Sequence, residues 1–118
     1  MNESPTRIHD LLAYIQDGRI MDAMRTFYSD DVVMEEPAYG KTVGLAANLV
    51  REQQFVDSVA AFKHFEATKV AQDDGVSMYE NVMDWTDVDG NDIHVEQVAV
   101  QQWEGGKIVH ERFYYATG

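Results

Sequence analysis

The segment from Asp92 to Tyr115 constrains this chain more than any other, because its pattern suits little except a β-hairpin. DIHVEQVAVQQW forms one long arm, Glu104-Gly105-Gly106-Lys107 the turn, and IVHERFYY the returning arm. Both arms are rich in β-branched and aromatic residues, and the paired glycines can supply the positive φ of a tight turn. Apolar residues fall on both faces of the first arm: Val95, Ala99 and Trp103 on one, Val98 and Val100 on the other. A sheet wet on one side would alternate cleanly, so this one is expected to be covered twice. The chain's own helices would cover one face and a partner subunit the other.

Upstream, Ser4-Pro5 reads as a helix start, with serine as N-cap and proline in the first turn. Ile8, Leu11, Leu12 and Ile15 then make one apolar stripe, which Asp17-Gly18 ends. Ile20, Ala23, Met24 and Phe27 repeat the spacing in a second short helix ending near Ser29-Asp30-Asp31. Val32-Val33-Met34 is a short strand-like run stopped by Glu35-Glu36-Pro37, and Ala38-Tyr39-Gly40-Lys41 reads as a loop. Leu45, Leu49, Glu52 and Val56 predict a third helix. Alternation from Phe62 to Gln72 and from Val76 to Thr86 predicts two strands, separated by Asp73-Asp74-Gly75. The order α-α-β-α-β-β-β-β predicts one α+β domain over residues 1–118, three N-terminal helices packed on a strongly curved antiparallel sheet. Long strands wrapped around short helices leave a cone whose wide end is the expected ligand pocket.

Composition removes several functions. The formal net charge of −12 argues against nucleic acid and anionic membrane surfaces as partners. With no cysteine there is no disulfide framework and no thiolate chemistry. No apolar stretch approaches a membrane span and the first residues lack a signal-peptide core, so the expected address is cytoplasmic.

The run YSDDVVMEEP, the helix after GLAAN, and the motif W-x-x-G-K-I-x-x-E-R-F-Y-Y resemble the SnoaL-like branch of the nuclear transport factor 2-like superfamily. That superfamily includes ketosteroid isomerases, polyketide cyclases and dehydratases. The resemblance covers nearly the whole chain and implies a cystatin-like, cone-shaped α+β barrel. It also implies dimerisation through the outer sheet face, here Val98, Val100, Arg112 and Tyr114. One fold hosts many functions, so activity must be argued from the site.

In ketosteroid isomerases an acid in the matching acid-proline segment is the proton-shuttling base, which implies that role for Glu36 beside Pro37. The position of the oxyanion-binding acid falls on Ala99, which cannot donate, whereas Gln97 and Gln101 on the same face can. Tyr14 lies near, but not in register with, the isomerase tyrosine. Authentic ketosteroid isomerase activity is therefore not expected. Parity with Trp103 turns Gln97, Ala99 and Gln101 inward, and the superfamily match adds Val109, Glu111, Phe113 and Tyr115. Glu111 would then be a carboxylate among aromatic rings, its pKa raised by desolvation, and a second candidate acid.

Four histidines remain: His9, His64, His94 and His110. Their spacing matches no zinc pattern, and neither a metal nor any other cofactor is expected. His64, taken in phase with Phe62 and Glu66, is a candidate acid–base group of the pocket. His94 and His110, on even positions, belong to the outer face. The expected pocket is lined by Tyr14, Phe27, Trp85, Gln97, Gln101, Trp103, Phe113 and Tyr115, with Glu36, Glu111 and His64 as the catalytic candidates. Three functions fit this pattern: a cofactor-free isomerase, cyclase or dehydratase moving a proton on a small apolar carbonyl compound, a non-catalytic ligand-binding or regulatory homodimer, and a protein-interaction module.

Overall fold

The computed structural model describes residues 6–116, so the expected helix start at Ser4-Pro5 lies outside the described residues. Helices α1 (Ile8–Gln16) and α2 (Ile20–Phe27) lead into strand β1 (Tyr28–Glu36) and β2 (Gly40–Val43). Helix α3 (Leu45–Ser58) follows, then β3 (Val59–Asp73), β4 (Val76–Asp87), β5 (Asp92–Glu104) and β6 (Lys107–Tyr114). The six strands form one sheet in the order β2-β1-β6-β5-β4-β3. All neighbours are antiparallel except β1 and β6, which run parallel.

Two elements differ from the sequence reading. Ser29-Asp30-Asp31 belongs to β1, because Tyr28 is already extended (φ −100°, ψ 137°) and the chain leaves α2 without a loop. The expected loop through Gly40-Lys41 is the start of β2, which pairs Val43 with Val33 and Gly40 with Glu36. That strand is short, polar and mostly exposed, and it carries too little alternation to be seen in sequence.

The terminal hairpin forms as its residues require. Gly105 and Gly106 hold φ of 59° and 78°, the left-handed pair that brings Glu104 opposite Lys107. Gln101 pairs with Glu111 and Val98 with Tyr114. A bulge after Gln102 sets Ile108, not Val109, opposite Trp103, so Ile108 enters the core and Val109 is only half-buried.

The apolar stripes of the first two helices meet the concave sheet face and close one end of the cone. Ile8, Leu11 and Ile15 of α1, with Ala23, Met24 and Phe27 of α2, pack on Val32, Ala99, Trp103 and Ile108. Phe27 stands edge-on to both Tyr14 and Trp103, at ring centroid distances of 5.2 and 6.4 Å. Helix α3 differs: its one fully buried side chain is Asn48, whose amide donates to the carbonyls of Thr42 and Gly44. Leu45 and Leu49 lean on the core from this helix, and Glu52 shares their stripe. No helix of the described residues is long and apolar enough to cross a membrane.

Candidate active site

Alternation on the four central strands sends one polar file into the protein. Trp103 Nε1 donates to Ser77 Oγ (2.8 Å), Ser77 Oγ donates to Gln101 Oε1 (2.7 Å), and Gln101 Nε2 donates to Glu111 Oε2 (2.7 Å). Tyr28 donates from its hydroxyl to the other carboxyl oxygen, Oε1 (2.5 Å). All five side chains are buried, and Glu111 and Gln101 have no exposed surface. Each hydroxyl, amide and indole donor in the file therefore meets an acceptor, as buried polar groups must.

Glu111 ends that file under two opposing pressures. Burial disfavours its charged form, while the bonds from Tyr28 and Gln101 favour it. Burial wins, helped by the charges of Glu52 and Glu36, and the carboxyl is pushed up to about 7. Glu52 reaches inward from α3 and is also pushed up to about 7, first by burial and then by Glu36, with Arg51 pulling the other way. Tyr28 and Tyr79 feel both acids. Their hydroxyls are raised well above the usual tyrosine value, by burial first and then by Glu111.

Glu36, last residue of β1, faces inward beside this pair. It accepts from Tyr115 Oη (2.8 Å) and is ion-paired with Arg51 Nη2 (3.2 Å), both of its oxygens being engaged. Arg51 is fixed in turn by Thr42 Oγ1 (2.5 Å) and by the Tyr39 ring, 4.1 Å beneath the guanidinium. The Tyr115 hydroxyl is pushed up to about 12 by burial and then by its bond to Glu36. Three carboxylates thus gather on the concave side against one arginine.

The structure divides the expected lining rather than assembling it. Glu36, Tyr115, Gln97, Phe113 and Trp85 are half-buried on the concave side, and Trp85 stands edge-on to Phe55 of α3 (5.1 Å). Phe27, Trp103 and Gln101 are sealed in the core and line no open pocket. Tyr14 is drawn aside: Arg19 stacks on its ring at 4.5 Å, and it lines an open depression beside α1 with Ala13, Gln16 and Asp17. A second open depression lies at the sheet end, between Val95 and Glu96 of β5 and Tyr115.

His64 is outside the site, contrary to expectation. A bulge between Phe62 and His64 breaks their common phase: Phe62 pairs with Trp85, while His64 pairs with Asp84 and is exposed next to Glu66 (3.4 Å). His94 and His110 stand on the outer face, bonded to Asp84 and Glu96 and to Glu35 respectively.

Sequence reading missed Tyr28, Arg51, Glu52, Ser77, Tyr79 and Asn81. Glu52 carried a signal, a charged residue in phase with Leu45 and Leu49. Ser77, Tyr79 and Asn81 carried another, since all three share the odd phase of Met83 and Trp85.

No protein-family model matches the sequence, and no curated protein matches it. Solved structures match its architecture closely. A protein provisionally named a SnoaL-like polyketide cyclase, from Mesorhizobium loti, superposes with a TM-score of 0.77 at 20% identity, over 91% of this chain and 94% of its own. A nuclear transport factor 2-like protein of unknown function from Burkholderia pseudomallei gives 0.79 at 14% identity, over 92% and 87%. An epoxide hydrolase of Mycobacterium tuberculosis gives 0.75 at 16% identity, over 92% and 79%. With three helices laid on one face of a curved, unclosed sheet, the chain shares the cone-shaped α+β fold of these solved structures.

Proposed function

We propose that this protein binds a small, mostly apolar carbonyl compound at the open end of the cone and moves a proton on it without a cofactor. The observation that carries this reading is the pair Glu52 and Glu111, two facing-site carboxyls both pushed up to about 7. A group titrating near the working pH is half in each form, which general acid–base catalysis requires.

The roles follow from what holds each acid. Glu52 has no hydrogen-bond donor among the described residues, so its carboxylate is the one free to take a proton from carbon. Glu111, gripped by Tyr28 and Gln101, tunes Glu52 by charge and stores a proton in the interior. Glu36, tied to Arg51 and Tyr115, is a fixed negative charge that keeps the other two high. This moves the base from Glu36, where the superfamily resemblance implied it, to Glu52. Phe55, Trp85 and the 48%-exposed Phe62 offer an apolar wall to the substrate body.

Exchange of the α-protons of cyclohexanone in heavy water, followed by NMR, tests the reading with a simple ketone standing in for the substrate. The expected result is exchange above the buffer rate, rising through pH about 7, and lost in Glu52→Gln. Exchange no faster than buffer at any pH, or unchanged in Glu52→Gln, overturns it.

A non-catalytic homodimer is the second reading, favoured by the outer sheet face. There Met78 pairs with Val100 and Val98 with Tyr114, and Met78 and Tyr114 are 41% and 47% exposed. A contiguous apolar strip of this kind on a monomer commonly marks an interface. Light scattering at micromolar concentration tests it, a monomeric mass being the result that removes it.

A further inference from the structure

We propose that the outer sheet face carries a metal site, in which His64, Glu66, Asp84, His94 and Glu96 take one divalent ion of the zinc class. The site lies on the opposite side of the sheet from the carbonyl chemistry proposed above and does not rest on it.

The sequence holds two His-x-Glu units, His64-Phe65-Glu66 and His94-Val95-Glu96. A β-strand sends residues i and i+2 to the same side, so each unit presents an imidazole and a carboxylate together. Strand pairing then sets the two units opposite one another across β4. His64 pairs with Asp84 and Asp84 with His94, while Glu66 pairs with Val82 and Val82 with Glu96. Four ligands from β3 and β5 thus frame Asp84 and the apolar side chain of Val82. No zinc spacing runs along the chain, because the ligands come from three strands.

The bulge between Phe62 and His64 completes the frame. Without the extra residue His64 would share the inward phase of Phe62, and the row would hold one histidine. Bulges re-aim side chains in this way next to functional sites.

The local charge suits a cation. Lys63 is paired with Asp92 and Lys69 with Glu80, and Arg112 lies over the Tyr114 ring. Glu66, Asp84 and Glu96 are left with the two histidines as their only ion-pair partners among the described residues. Imidazole with carboxylate is a donor set for zinc and its neighbours, whereas calcium and magnesium take oxygen ligands.

As the side chains stand, the His94 ring is wedged between two acids, with Nδ1 2.6 Å from Asp84 and Nε2 2.9 Å from Glu96. His64 Nε2 leans on Glu66 at 3.4 Å. Acids on opposite sides of one ring share no point with it, and no three ligating groups converge among the described residues. Convergence needs side-chain rotation alone. The two imidazoles are 50% and 54% exposed, so turning them breaks little packing. Strands β3 and β5 lie two strand spacings apart, roughly 10 Å. Two imidazoles, each bound to the ion at about 2 Å, span that gap above Asp84. The ion takes the place of the protons shared between rings and carboxylates, which leave to solvent.

The test titrates zinc chloride into the whole untagged chain, read by calorimetry and by NMR of the histidine rings. The expected result is one equivalent bound with a micromolar dissociation constant. The ring signals of His64 and His94 should move together while those of His9 and His110 stay. His64→Gln and His94→Gln should each weaken binding at least about tenfold, and His110→Gln should not. The absence of saturable binding at millimolar zinc overturns the inference. So does movement of His94 without His64, or of His9 or His110 in their place, and the wild-type rings decide this with no variant needed. An affinity unchanged in His64→Gln overturns it as well.

Discussion

At the closed end, Phe27 lies edge-on to Trp103, and the one indole donor there is passed in order through Ser77 and Gln101 to Glu111. Toward the open end, Glu36 of β1, Glu52 of α3 and Glu111 of β6 gather with one arginine among them, and the buried amide of Asn81 on β4 has a donor to spare. The strands do not differ between the ends; their cover does. Helices α1 and α2 lay two complete apolar stripes over the closed end, whereas α3 brings Asn48 and Glu52 to the sheet. Where packing is complete, polar groups pair off and become structure. Where several carboxyls share one desolvated face, burial and their mutual charge lift two of them to about 7.

Substitutions should separate the two ends, beginning with the largest effect. Phe27→Ala removes a fully buried ring from the closed end and should cost about 3–5 kcal/mol of stability, read as a lower urea midpoint. Glu52→Gln should lower α-proton exchange by roughly 10²–10⁴-fold while moving the urea midpoint little. If instead it unfolds the protein, the open end is as structural as the closed one and the contrast fails. Trp103→Phe removes the first donor of the buried file and leaves Ser77 Oγ without it, for about 1–3 kcal/mol.

The buried acids also predict a pH dependence. Glu52 and Glu111 both rise from 4.5 when exposed to about 7 when folded, so between those values the folded state holds more protons than the unfolded one. Their contribution to stability is complete below pH about 4.5 and is lost as pH rises through about 7. Urea unfolding across this window should show that decline, and Glu111→Gln should flatten it. Glu36→Gln should have the smallest effect: about 1 kcal/mol from the partly buried pair with Arg51. Because Glu36 raises both other acids, its removal should shift the exchange profile to lower pH. A loss of turnover as large as that of Glu52→Gln would return the base to Glu36.

Much of this architecture was legible from the residues because it obeys local periods. The stripes Ile8-Leu11-Ile15 and Ala23-Met24-Phe27 repeat at helical spacing and are buried as expected. The glycine pair at 105 and 106 needs φ above zero and takes it. Alternation assigned Gln97 and Gln101 to the concave side and His94 and His110 to the outer one, and the superfamily resemblance added Glu111 and Tyr115 to the concave side. The failures arose where one extra residue changes the phase. The bulge after Phe62 turned His64 out, and the bulge after Gln102 exchanged Val109 for Ile108. A bulge is decided by pairing with the neighbouring strand, so the alternation of a single strand cannot report it.

The chain by itself determined the α+β class, the helix faces and the inward file of the hairpin, because these depend on periods of 3.6 and 2 within one segment. Tertiary structure alone decided which acids titrate together. Glu36, Glu52 and Glu111 come from β1, α3 and β6, and only their meeting on one desolvated face raises two of them to about 7. The same holds for the donors: Gln101 was expected to be free until Glu111 claimed it, and Asn81 stood out only once its Nδ2 was left without a partner. Hydrogen-bond partners and desolvation belong to the space between segments, and that space exists only once the chain has folded.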